Sequence, residues 1–233
     1  MIDWIVLFIF SFLPPLIYMV WIRNTEKYHR EHWKPILLCF IWGASIAVIA
    51  ALILEILLGI SLAISITDQN LFILLTVILI APIAEEFTKP LALRLRIVKK
   101  EIDELEDGLI YGAVAGLGFS ATENLIYGAS FFSKGLIVFF MLIIMRSIGG
   151  CLLHASATAW TGYGYGKTLM KKTSLLRILP YFGLAIVVHG LYNFFLAFDD
   201  IGAFAGLLLA FGFVILSITI VRKKIQTLDT QNV

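Results

Sequence analysis

Seven long apolar blocks constrain this chain more than any other feature of its sequence. A helix needs roughly 20 apolar residues to cross a bilayer, because it rises about 1.5 Å per residue through about 30 Å of hydrocarbon. Sixty per cent of the residues are apolar, above the roughly half that is typical of soluble domains. The sequence therefore predicts an all-α, polytopic bundle of about seven transmembrane helices in the cell membrane. The blocks are 2–22, 35–58, 71–93, 109–130, 135–163, 178–198 and 202–221.

The positive charges predict which side of the membrane each connection faces. Of the 18 Lys and Arg residues, all but Lys134 and Arg146 lie in alternate connections, at their helix ends or in the C-terminal tail. Short basic connections stay cytoplasmic, so we expect the N-terminus outside and the C-terminus inside. Residues 1–233 are expected to form a single integral membrane domain. The net charge of +2 gives no footprint for nucleic acid, so the expected environment is the lipid bilayer.

Eight ionisable residues interrupt the apolar blocks, and each needs a physical explanation. An ionised group inside a bilayer costs roughly 3 kcal/mol on insertion scales, so such groups commonly mark functional sites. One of them, Glu55, lies near the outer end of its block and can extend to the interface, so we interpret it as non-catalytic. The eight are Glu55, Glu85, Glu86, Lys89, Glu123, Arg146, His154 and His189.

The third block carries two adjacent acids followed by a base and a proline. Glu85 and Lys89 are four residues apart and share a helix face, with the acid first, which is the favourable order. Pro90 has no N–H, so the carbonyl of Glu86 loses its helical partner and the helix should be distorted there. An ordinary helix end at the membrane interface is the alternative, which two adjacent acids make less attractive.

Small residues at four-residue spacing run along the fourth block, a pattern that lets a second helix approach closely. Glu123 adjoins this stripe. It is either part of a polar site or one half of a structural ion pair with Arg146. The stripe consists of Gly108, Gly112, Gly116 and Ser120.

Histidines occupy the next two blocks. His154 shares a stripe with Arg146 on the fifth, and His189 lies four residues before Asn193 on the sixth. A single buried histidine is usually a hydrogen-bonded core residue. Two on neighbouring spans, together with the glutamates, favour a shared polar cavity.

Four short motifs on successive blocks resemble the PrsW family of intramembrane proteases. They are Glu-Glu-Phe-Thr-Lys at 85–89, Phe-Ser-Ala-Thr-Glu at 119–123, His154 on its own span, and His-Gly-Leu-Tyr-Asn at 189–193. This family is part of a larger group with the CAAX prenyl endopeptidases and bacteriocin-processing relatives. In the CAAX branch the first motif ends in Arg and the second has His instead of Glu123, so both differences favour PrsW. The resemblance covers about residues 70–200, the expected catalytic core.

The resemblance implies an endopeptidase that hydrolyses a peptide bond of a membrane-anchored protein, with an anti-sigma-factor-like protein as the expected substrate. Peptide hydrolysis needs an activated water and a stabilised oxyanion. Glu85 is expected to be the base, coupled to Glu86, while Lys89 holds one carboxylate ionised.

The other expected site residues lie on the fourth to sixth blocks. His154, His189 and Asn193 are expected to orient water or donate to the oxyanion. Glu123 is expected to orient a histidine. The catalytic candidates here are Glu123, His154, His189 and Asn193, and the supporting ones are Phe119, Tyr127 and Arg146.

Zinc is a second possibility for the chemistry. Glu123, His154 and His189 would supply the carboxylate and two imidazoles of many catalytic zinc sites. The chain has no His-Glu-x-x-His motif, and the three residues come from three blocks. We therefore favour a glutamate mechanism without a metal. Counting along the helices also places Glu85 roughly 21 Å from the outer surface but Glu123 only about 10 Å from it.

Two other classes of function remain open from the sequence. Buried acids and histidines also form proton relays in transporters, although the two halves of this chain show no matching broken helices of the kind that inverted repeats produce. A non-enzymatic membrane scaffold would retain polar residues for packing alone.

Overall fold

The protein is described here by a computed structural model that covers residues 2–231, a range in which it forms helices and no strand. Seven of the helices are long and apolar enough to cross a membrane, which confirms the predicted fold class. Helices suit this environment because every backbone polar group inside hydrocarbon must be satisfied within the segment. We number the spans 1 to 7: Trp4–Arg23, Trp33–Ser65, Gln69–Arg94, Leu105–Phe132, Leu136–Met170, Leu175–Ala197 and Ala203–Asp229.

Spans 2 and 3 depart from regular α-helix at defined points. Gly43–Ala47 in span 2 and Thr76–Ile80 in span 3 form π-helical turns, which are uncommon and often lie at functional sites. Span 3 ends in a 3-10 helix at Lys89–Arg94. This last change coincides with Pro90, whose missing N–H was expected to distort the helix beside the two glutamates.

The short connecting elements lie between the spans. Helix Arg96–Lys100 follows span 3, and a 3-10 turn at Asp199–Ile201 joins spans 6 and 7. Span 6 begins with a 3-10 turn, Leu175–Ile178, and continues as an α-helix, Leu179–Ala197.

Span 4 is the centre of the bundle. In its most apolar window 78% of the residues are buried, against 28–39% in the other spans. Its glycine stripe packs directly against the backbone of span 5. A side chain at Gly112 would collide with the carbonyl oxygen of Thr158, and one at Gly116 with that of His154. The structure therefore confirms the prediction that a second helix approaches closely along this stripe.

The opposite face of span 4 is equally close to span 2. A side chain at Gly118 would collide with the carbonyl of Phe40, and one at Gly43 with the carbonyl of Ala115. Span 4 is thus held between spans 2 and 5 at near-backbone contact. This packing fixes the height of span 4 relative to its neighbours, and so the depth of every polar side chain that it carries.

The outer surface of the bundle is apolar. Large side chains such as Ile64, Ile137 and Phe204 are more than three-quarters exposed, as expected for residues that face lipid tails. The side of the membrane on which each end of the bundle lies stays a prediction from the charge distribution.

Candidate active site

A cavity of about 680 Å³ lies among spans 2 to 7, within the range of about 300–1,000 Å³ usual for ligand pockets. Most of its wall is apolar, and the polar groups are concentrated in one region. Glu86, the remaining predicted catalytic residue, lies behind that wall and is completely buried. Five of the six predicted catalytic residues line the cavity: Glu85, Glu123, His154, His189 and Asn193.

The ammonium group of Lys89 lies at the centre of these polar side chains. Its Nζ is 2.7 Å from Oε2 of Glu85, 2.9 Å from Oε1 of Glu86 and 2.8 Å from Nδ1 of His154. The ring of Phe119 covers it, with the centroid 4.4 Å away. An ammonium has three hydrogens, and each has a partner here. Lys89 is fully buried, so these contacts replace its hydration.

His154 connects this ammonium to Glu123. Nδ1 of His154 accepts from Lys89, so the ring hydrogen is assigned to Nε2, which donates to Oε2 of Glu123 at 2.6 Å. Arg146 donates to the same oxygen at 3.0 Å, and its guanidinium lies 4.1 Å from the ring centroid of Tyr127. Both ring nitrogens of His154 are therefore occupied, and the ring is held from two sides.

The two adjacent glutamates differ in what their oxygens contact. Oε1 of Glu86 accepts from Lys89 and from Nδ1 of His189, each at 2.9 Å, and Oε2 accepts from Thr158 at 2.8 Å. Oε2 of Glu85 accepts a hydrogen bond from Lys89. Oε1 of Glu85 has no hydrogen-bond partner within residues 2–231. Glu85 lines the cavity and Glu86 does not. Glu85 therefore has an oxygen available to a molecule in the cavity.

Span 6 contributes two more polar groups to the cavity wall. With Nδ1 of His189 bound to Glu86, its Nε2 has no hydrogen-bond partner in the described part of the chain. Asn193 donates one amide hydrogen to the carbonyl of Val77 at 2.9 Å, inside the π-helical turn Thr76–Ile80. The amide has two hydrogens, and the second remains for a ligand. The π turn is the local feature that supplies Val77 as a partner.

The depth difference expected from helix counting is not found. His154 links the two groups, since Glu123 Oε2 lies 2.6 Å from its Nε2 and Glu85 Oε2 lies 3.6 Å from its Nδ1. The expectation was wrong because spans 3, 4 and 5 have 26, 28 and 35 residues, well above the roughly 20 needed to cross. The ends of these helices therefore lie at different heights relative to the bilayer. Counting residues from a helix end does not give the depth of a side chain in the membrane.

Similarity to known proteins identifies the family of this chain. Residues 31–220 match the family model described as "PrsW family intramembrane metalloprotease". The chain belongs to the PrsW family. It is 27% identical over 198 residues to "Protease PrsW" of Clostridioides difficile (strain 630). The aligned residues cover 83% of this chain and 80% of that protein. No solved structure matches it.

Membership of the PrsW family confirms the family resemblance read from the four motifs, and it supports the assignment as a membrane protease. The match extends from the start of the second predicted span to the seventh, further than the 70–200 expected from the motifs. The wider grouping with CAAX and bacteriocin-processing proteases stays a prediction.

The description of the PrsW family as metalloproteases makes the donor set worth testing against zinc. Ligand atoms of Glu85, Glu86, His154 and His189 lie within 4.8 Å of one another, and all four residues are buried. Glu123 is not in this group, so the ligand set considered for the zinc alternative is not the one that the structure brings together. The reason is that Glu123 contacts the far nitrogen of His154.

The four donors do not fit a bound zinc ion as they are arranged. Lys89 already contacts three of these residues at 2.7–2.9 Å, so a single positive charge holds the position that a metal would take. A dication beside a buried ammonium would add strong repulsion in a region of low dielectric. We therefore derive no step through a metal.

Two residues near the site were not among those expected to act in it. Glu55 lines the cavity and is half-buried, and its interpretation as non-catalytic stays a prediction. Span 2 continues to Ser65, ten residues past Glu55, whereas the apolar block ended at 58. Asn124, next to Glu123, accepts from Nε of Arg146 at 2.9 Å. Its position one residue after a motif glutamate gave no signal of its own.

Proposed function

We propose that this protein is an intramembrane endopeptidase that hydrolyses a peptide bond of a membrane-anchored protein, with Glu85 activating the attacking water. The observation that carries the proposal is the difference between the two glutamates. Glu85 faces the cavity with Oε1 available, while both oxygens of Glu86 are already engaged. Family membership supports the reaction class.

The proposed reaction uses Glu85 twice. Its carboxylate removes a proton from water as the water oxygen attacks the peptide carbonyl carbon, which gives a tetrahedral oxyanion. The same proton then passes to the amine nitrogen as the C–N bond breaks. Lys89, 2.7 Å from Oε2, places a positive charge beside the carboxylate and leaves Oε1 towards the cavity.

Asn193 is the proposed donor to the oxyanion, through the amide hydrogen that has no hydrogen-bond partner in the described residues. Nδ1 of His189 donates to Glu86, so Nε2 of the neutral ring is an acceptor. This atom has no partner in the described residues, and its proposed role is to orient the attacking water. His154 lacks such an atom, because its two nitrogens contact Lys89 and Glu123. We therefore place His154 and Glu123 as positioning residues, which revises the oxyanion role considered for His154 from the sequence.

The substrate class follows from the wall of the cavity. The wall is mostly apolar and comes from six of the seven spans, so a peptide segment that leaves its own transmembrane helix can be accommodated at this depth. An anti-sigma-factor-like membrane protein is the expectation that family resemblance gives.

Cleavage in a defined membrane tests the proposal. Wild type and Glu85→Gln would be reconstituted in vesicles with a panel of single-span membrane proteins, and the products identified by mass spectrometry. Loss of an acid–base group costs about 10²–10⁴-fold, so Glu85→Gln should be inactive on a substrate that wild type cuts. Glu101→Gln, a half-buried acid outside the cavity, is the matched control.

Two results would contradict the proposal. Near-normal cleavage by folded Glu85→Gln excludes Glu85 as the base. Proton or solute flux through wild-type vesicles, without cleavage of any substrate, favours the transporter alternative instead.

A further inference from the structure

Six carboxylates converge at the end of the bundle where span 1 ends, span 4 begins and span 7 ends. Three segments that are distant in sequence supply them: the connection 24–32, the start of span 4 and the last turn of span 7. Five of the six are almost completely buried, which is unusual for acids. We call this group the acidic cluster: Glu26, Glu31, Glu104, Glu106, Asp107 and Asp229.

Glu26 lies at the junction of the cluster. Glu26, Glu104 and Asp107 each place one carboxylate oxygen within 4.8 Å of the other two. The same is true of Glu26, Glu106 and Asp229. Carboxylate oxygens at this separation can share one cation, whereas without one they repel each other.

One oxygen of Glu26 is left without a donor. The side chain is 0% exposed. Its Oε2 accepts from the backbone N–H of Glu31 at 3.0 Å, but its Oε1 has no hydrogen-bond partner among the described residues. Buried polar atoms are nearly always satisfied, so an exception requires a partner from outside the protein or a specific role.

Among the basic residues that the structure describes nearby, His29 contacts the cluster, with its Nδ1 3.3 Å from Oε1 of Glu104, and the arginines do not. Nε of Arg23 and Nε of Arg30 donate to backbone carbonyls, at 2.6 and 3.2 Å, rather than to carboxylates. In the part of the chain that the structure describes, no lysine or arginine forms an ion pair with Glu26, Asp107 or Asp229. Asp229 is satisfied by the backbone of the connection that follows span 1.

We propose that the acidic cluster binds one hard divalent cation, Ca²⁺ or Mg²⁺, through Glu26, Glu104 and Asp107. All of the donors are oxygens, the ligands that these two ions prefer. The bound ion joins the connection after span 1 to the first turn of span 4, and Asp229 adds negative charge from span 7. Because span 4 carries Glu123 into the cavity, the ion stabilises the central helix from its end.

Binding can be measured on the full chain without reference to its activity. Purified protein is stripped with a chelator and dialysed against CaCl₂ or MgCl₂, after which bound metal is counted by elemental analysis and thermal unfolding is followed. We expect about one equivalent of the preferred ion. At 100 times its Kd the ion should raise Tm by about 5–10 °C, and the ion that acts at the lower concentration is the ligand.

Matched variants locate the site. Glu26→Gln and Asp107→Asn should each abolish the stoichiometric binding and the Tm shift, whereas Glu101→Gln, an acid outside the cluster, should keep both. His189→Ala should also keep both, which separates this site from the cavity. The proposal is overturned if wild type shows neither binding nor a shift with either ion. It is equally overturned if the response survives Glu26→Gln and Asp107→Asn, or disappears in His189→Ala.

Discussion

Nζ of Lys89 donates to Nδ1 of His154 at 2.8 Å, so a lysine of span 3 fixes the tautomer of a histidine of span 5. The contact places the remaining ring hydrogen on Nε2, where Glu123 accepts it. The order Glu85, Lys89, His154, Glu123 thus forms one continuous hydrogen-bonded chain across three spans. A substitution of Glu85 should therefore change the contribution of Glu123 to stability, because the energies of buried hydrogen-bond networks are not additive.

The two adjacent glutamates should separate into one functional and one structural residue. Glu86→Gln weakens contacts with Lys89, His189 and Thr158, so it should lower the free energy of unfolding by about 3 kcal/mol. Glu85→Gln loses one charged contact, so it should lower stability less while removing cleavage. Chemical unfolding of both variants, alongside cleavage assays, makes the comparison. A more stable Glu86→Gln than Glu85→Gln contradicts this reading.

The spans were predictable from apolar length, but their ends were not. Span 4 begins at Leu105 rather than at 109, because Glu104 and Asp107 form a capping box that starts the helix before the apolar stretch. Span 5 runs to Met170 rather than to 163. Outside the hydrocarbon layer a helix does not need apolar side chains, so it can continue beyond the apolar block.

The site residues were predictable because ionisable groups inside apolar blocks are costly. Their relative heights were not, since these depend on how far one helix slides along another. The contacts of Gly116 with His154 and of Gly118 with Phe40 set that displacement. The sequence showed that small residues allow close approach, but not which backbone atoms they would meet.

Gly116 should tolerate no side chain. A methyl group in Gly116→Ala would collide with the carbonyl of His154, and such overpacking costs about 1–3 kcal/mol. It should also move His154 and so reduce cleavage. Gly183→Ala is the matched control, because nothing lies within 4 Å of the added carbon and alanine favours a helix over glycine. Equal unfolding midpoints for the two variants would refute the packing argument.

The orientation predicted from the basic connections can be tested with single cysteines. The natural Cys39 and Cys151 are fully buried, so neither should react. Cysteine at the exposed Asp200 should react with an impermeant maleimide in intact cells, and cysteine at the exposed Asn24 only after permeabilisation. The reverse pattern would overturn the prediction of an outside N-terminus.

Lys89 gives the most direct test of metal dependence. If its ammonium takes the position of a metal, wild type should contain far less than one equivalent of zinc by elemental analysis and keep its activity after chelator treatment. Lys89→Met removes the charge that holds Glu85, Glu86 and His154 together, which should lower stability by about 3–5 kcal/mol. It also frees the four donors that lie within 4.8 Å of one another.

The same variant should therefore gain what wild type lacks. Added zinc should bind to Lys89→Met and raise its Tm by several degrees, with little effect on wild type, and a further His189→Ala change should remove that gain. Cleavage should not return with zinc, because the proposed mechanism needs the lysine to orient Glu85. Stoichiometric zinc in wild type, lost together with activity in both His154→Ala and His189→Ala, would show instead that Lys89 moves aside for a catalytic metal.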